Sequence, residues 1–119
     1  MRVTEEEFAA LVERAMDRLP PEFAELLENI AVVMEDEPDP ELKREMGMDE
    51  EEELLGLYLG IPLVERETAY SGLPDQVALY RGPLVRISRN RRELIREVRD
   101  TLVHELGHYF GLSDEEMPY

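Results

Sequence analysis

Apolar residues recur at helical spacing near the start of the chain, at Phe8, Leu11, Val12, Ala15 and Met16. Thr4 and Glu7 stand ahead of them as a capping box, which predicts a first helix over residues 4–18. Pro20-Pro21 ends that helix and opens a short one through Phe23, Leu26 and Leu27. The run from Asn29 to Met34 is apolar and β-branched before it turns acidic, the pattern of a strand. Pro38 and Pro40 break the chain, and Asp39 is placed to cap a short helix over residues 41–46 that Gly47 ends. Residues 54–63 are apolar with Gly56 and Gly60 among them, predicting a strand or tight turn. A further strand is expected over residues 64–69, a loop over 71–75, and a strand over 76–81. Gly82-Pro83 leads into a short helix through Leu84, Val85 and Ile87. The last element is a long helix over residues 90–110, whose buried side is marked by Leu94, Ile95, Val98, Leu102, Val103 and Leu106. Gly111 sits where such a helix stops. Helices, a few strands and a long C-terminal helix make an α+β domain, and 119 residues make one domain.

That last helix carries the chemistry. His104-Glu105-Leu106-Gly107-His108 is an H-E-x-x-H pentad, and it holds both histidines of the chain. Helical residues four apart lie roughly 40° apart around the axis and about 6 Å along it. Two imidazoles so placed can reach one metal ion, each at about 2.0–2.1 Å. Glu105 lies one position round from His104, so it is the candidate general base for a metal-held water rather than a third equal ligand. A catalytic zinc site takes three protein ligands and keeps a fourth position open. Gly111 can turn the chain back after the helix, and a carboxylate three residues on can then return to the metal. Asp114 has that spacing, with Glu115 and Glu116 competing for the role.

Charge narrows the partners. The formal net charge is −16, and the acidity is concentrated: residues 1–60 hold 5 basic and 19 acidic side chains, a net of −14. Such a surface repels phosphate backbones and anionic membranes, so no nucleic-acid or membrane partner is expected. It favours solubility, and it suits a basic partner or substrate. The five consecutive acids from Asp49 to Glu53 are expected to form a solvated loop or helix start. With no cysteine, disulfides, thiolate metal sites and a Cys nucleophile are excluded. No apolar signal core follows Met1 and no run approaches a transmembrane length, so the expected location is cytoplasmic.

The stretch His104-Glu105-Leu106-Gly107-His108-Tyr109-Phe110-Gly111-Leu112-Ser113-Asp114 resembles the H-E-x-x-H-x-x-G-x-x-[H/D] signature of metzincin-type zinc peptidases, with Asp where most have a third His. More closely, the chain resembles the small, acidic, bacterial zincin-like proteins, the minimal metallopeptidases. Residues 29–38, Leu55-Gly56-Leu57-Tyr58-Leu59-Gly60, Leu73-Pro74-Asp75 and Arg81-Gly82-Pro83-Leu84 extend that resemblance over most of the chain. It implies a minimal zincin-like domain: a small twisted sheet packed on helices, with the motif on the long C-terminal helix. It implies that His104, His108 and Asp114 bind Zn2+ and that Glu105 activates water.

It also implies a peptide or protein substrate aligned by an edge strand, for which residues 76–81 are the expected candidate. Tyr58, Tyr70, Tyr80 and Tyr119 are expected to serve as packing rings, and Met117 as a packing or tail residue rather than a methionine turn. Only eleven residues follow His108, too few for a second helix with a downstream glutamate ligand or for a subdomain walling the cleft. The rival expectation is therefore a metal-binding or protein-binding module without proteolysis on the same fold. A third is zinc-dependent hydrolysis of a non-peptide amide.

Overall fold

The computed structural model describes residues 1–60, 75–111, 115 and 118. The strand expected over residues 64–69, and the loop of 71–75 apart from Asp75, lie outside the described residues.

Helix α1 spans Glu5–Met16 and begins with the expected capping box: the Glu7 amide donates to Thr4 Oγ1 at 3.1 Å, and the Thr4 amide donates to Glu7 Oε1 at 3.3 Å. Both bonds satisfy amides that a helix start leaves without partners. Helix α2 (Pro21–Leu26) follows the proline pair and runs into a 3₁₀ turn at Leu27–Asn29. Strand β1 is Ile30–Glu35. Helix α3 (Pro40–Glu45) starts at Asp39, whose side chain accepts from the Glu41 amide at 2.9 Å. Strand β2 is Gly56–Leu59, β3 is Asp75–Tyr80, helix α4 is Arg81–Ile87, and helix α5 is Arg91–Tyr109. Asn90 caps α5 by accepting from the Glu93 amide at 2.8 Å.

The described strands form one sheet in the order β1-β3-β2. β1 runs parallel to β3 with Val32 opposite Val77, and β2 runs antiparallel to β3 with Tyr58 opposite Val77. This corrects one expectation. Residues 76–81 do not provide an edge strand: β3 is central and has a neighbour on each side. Its run Val77-Ala78-Leu79-Tyr80 is buried throughout, as a strand covered on both faces must be. Alternation divides that run. Val77 and Leu79 enter the main core with Phe8, Leu11, Val12, Leu84, Leu94, Val98, Leu102 and Leu106. Ala78 and Tyr80 turn to a smaller cluster with Leu54, against which Leu42, Met48 and Leu57 pack. Helix α5 lies under β2 and β3 and packs against α1 along its other flank. No described helix is long and apolar enough to cross a membrane.

Asp49 to Glu52 are exposed in a turn, as expected of a solvated loop, and Glu53 is drawn into a pairing. Glu53 pairs with Arg86 on α4, which also holds Glu37 through two bonds of 2.7 and 2.8 Å. One guanidinium thus ties the segment after β1 to the segment before β2. The Arg86 bonds hold the Glu37 carboxyl below the usual 4.5. Arg86→Gln is expected to cost about 1 kcal/mol at pH 7, since the network is half exposed and screened by solvent. A Tm fall of roughly 5 °C would report it. A carboxyl with a depressed pKa stabilises the fold above 4.5 and loses that contribution as pH falls through its folded value. The penalty should therefore fade as pH drops below 4.5.

Candidate metal centre

The rotational setting of α5 places the motif. Leu102, Val103, Leu106 and Gly107 are buried, so the helix is pinned by its apolar side. His104 and Glu105 then fall half-buried at the border of that side, and His108 falls exposed. The two imidazole centroids are 6.1 Å apart, with ring planes 74° to each other. A ring bound through a nitrogen keeps its centre about 3 Å from the metal, so two rings on one tetrahedral ion have centres about 5 Å apart, and these two must close by about 1 Å to share it. His104 Nδ1 lies 3.0 Å from the Asp100 carbonyl oxygen. With the proton on Nδ1, that bond orients the ring and leaves Nε2 with its lone pair for a metal. The donor pair therefore fits zinc in type and outer support.

Glu105 faces the sheet. Its Oε1 accepts from the Tyr58 amide of β2 at 2.9 Å. Burial pushes its pKa up, and the Tyr58 bond and the charges of His108 and His104 pull in the opposite direction, with burial prevailing. A carboxyl so placed is biased towards holding a proton, which suits a group that must accept one and give it back.

β2 can come this close because position 56 lacks a side chain. A Cβ there would lie 2.7 Å from Thr101 Cγ2 on α5 and 2.9 Å from the Ala78 carbonyl oxygen on β3. Tyr58 then ties three elements together. Its hydroxyl donates to Asp75 Oδ2 at 2.7 Å, and its ring stacks on Tyr109 of α5 with centroids 4.2 Å apart. Asp75 is buried at the mouth of β3.

Tyr58 and Asp75 are the site residues that sequence reasoning missed. Tyr58 does pack as a ring, as expected, but its amide and hydroxyl also carry bonds. Tyr80 is buried as a packing residue. Helix α5 ends where Gly111, at φ +81°, takes the left-handed conformation. Asp114 and Glu116 lie outside the described residues, as do Tyr70, Met117 and Tyr119. Glu115 is exposed. Among the described residues, no group of three His, Cys, Asp or Glu side chains could hold a metal ion together.

A three-stranded sheet lying on a helix that bears H-E-x-x-H defines the minimal zincin class. The family model for zincin-like metallopeptidases matches residues 27–119, and the chain belongs to that family. Among solved structures it is similar to a conserved hypothetical protein from Thermo thermophilus, at 30% identity and a TM-score of 0.57. That likeness covers 90% of this chain and 94% of the other. No curated protein matches the chain.

Proposed function

We propose that this protein is a zinc-dependent metallopeptidase that hydrolyses peptide bonds with Glu105 as general base. The observation that carries this reading is the placement of Glu105: a half-buried carboxyl beside two imidazoles, bonded at 2.9 Å to a backbone amide of β2. His104 and His108 would hold the zinc, with Asp114 as the third ligand by spacing. When bound, zinc lowers the pKa of a coordinated water towards neutrality and polarises a carbonyl oxygen.

The chain's own residues supply the rest. Glu105 accepts the proton of the attacking water on the carboxylate oxygen that Tyr58 does not hold, then delivers it to the leaving amine nitrogen. The Tyr58 amide keeps the carboxylate from swinging. Asp100 keeps the His104 ring in one orientation. β2 takes the part first expected of residues 76–81. Of the sheet's two edges among the described residues, β1 and β2, it is the one whose Tyr58 amide turns towards Glu105 on α5. An extended peptide laid beside it would pass the motif.

Metal analysis of the purified chain tests the site. About one zinc per chain is expected, with His104→Ala and His108→Ala both abolishing it. A peptide-library cleavage assay on the zinc-loaded protein then tests the reaction. Absence of stoichiometric metal overturns the site. Stoichiometric zinc without cleavage of any peptide makes the protein a metal-binding or protein-binding module on this fold.

A further inference from the structure

A groove opens directly beside the motif. It lies between Leu54–Gly56 and α5, holds about 390 Å³, and ends at His104 and Glu105. Its walls are mostly apolar: Leu54, Leu55, the bare Gly56 backbone and the Thr101 side chain. Its far end carries Glu97 and Asp100. These two carboxylates differ in their partners. Asp100 is bound by Arg99, at 2.8 Å from the guanidinium Nη2 and 3.0 Å from Nε. Arg96 turns to Glu93 instead, at 3.9 Å. Glu97 is half-buried, and its carboxylate has no hydrogen bond or ion pair with the described residues. Burial first, then the neighbouring Asp100 charge, pushes its pKa up, and together they outweigh the smaller pull of Arg96. An apolar trough closing on an unpaired carboxylate matches one ligand chemistry: a long aliphatic stem with a cationic head.

We propose that this groove is a subsite for an arginine or lysine side chain of the substrate, with Glu97 recognising the charge. The proposal rests on the peptidase reading for its substrate class, and its dimensions agree with that reading. Glu97 stands two turns before His104, about 10 Å along the axis. One or two residues of extended chain cover about 3–7 Å of that span, and a basic side chain covers the remainder. The net charge of −16 draws cationic peptides towards the surface as a whole, and Glu97 then selects among them.

The test uses the full-length zinc-loaded protein and short matched peptides. These carry arginine, its uncharged isostere citrulline, or norleucine at one position. In titration calorimetry the arginine peptide should bind about tenfold tighter than the citrulline peptide, the worth of one charge-assisted contact. Glu97→Gln should shrink that ratio below about twofold, with zinc content and Tm unchanged. Equal affinities in the unaltered protein, a ratio that survives in Glu97→Gln, or no binding of any peptide overturns the subsite. The two readings fail separately. Library cleavage without basic preference removes the subsite and keeps the peptidase, whereas arginine-selective binding without cleavage keeps the subsite and removes the peptidase.

Discussion

Glu105→Gln should lower kcat for peptide hydrolysis by about 10²–10⁴, the usual worth of a positioned general base, with bound zinc staying near one per chain. The substitution isolates one function. Glutamine has the shape of glutamate and nearly its helix propensity, and its amide oxygen can still accept from the Tyr58 amide. Only the proton acceptor is gone. Stability gives a second readout. Burial raises the Glu105 pKa above 4.5, so its contribution to the fold is full below 4.5 and is lost as pH rises through the folded value. Above the folded value, burial disfavours the charged form. The neutral glutamine variant, stripped of metal by a chelator, should therefore melt no lower than the parent at pH 7. Hydrolysis at the parental rate would remove Glu105 from the mechanism. Loss of zinc from the variant would make Glu105 a ligand instead.

The parts legible in the sequence were those whose causes are local. The capping box of Thr4 and Glu7, the Asp39 cap, the stop at Gly111 and the apolar stripe of α5 each lie within a few residues of what they control. The spacing of His104 and His108 is local too, because a helix converts four residues into one face. What sequence reasoning missed depends on pairing across the chain. Glu105 and Tyr58 are 47 residues apart, and Tyr58 and Asp75 are 17 apart. No periodicity records such a bond. The assignment of residues 76–81 to a sheet edge failed for a different reason. Four buried residues in a row describe a strand covered on both faces, and that signal lay in Val77-Ala78-Leu79-Tyr80. The resemblance supplied the idea of an edge strand but not which strand it was. The Asp49–Glu53 run is the expected exposed loop through Glu52, and only the match of Glu53 to Arg86, 33 residues away, escaped a local reading.

Gly56→Ala should destabilise the protein by about 1–3 kcal/mol, the usual cost of an overpacked contact, and lower Tm by roughly 10 °C. A methyl group there meets Thr101 Cγ2 at 2.7 Å and the Ala78 carbonyl oxygen at 2.9 Å. Neither gap accepts a carbon without movement, so β2 must retreat from α5 or from β3. Retreat from α5 lengthens the 2.9 Å bond between the Tyr58 amide and Glu105, so kcat should fall along with Tm. The two obstacles differ in how they can be relieved. Thr101→Ser removes the Cγ2 methyl and keeps the hydroxyl that donates to the Glu97 carbonyl oxygen at 2.8 Å. The Ala78 oxygen belongs to the backbone of the central strand and cannot be trimmed. The Gly56→Ala, Thr101→Ser double variant should therefore recover part of the lost Tm, and recover kcat in the same proportion. An unchanged Tm in Gly56→Ala alone would show that β2 and α5 do not approach closely enough to position Glu105. Recovery of Tm without kcat would show that the Tyr58 bond does not serve catalysis.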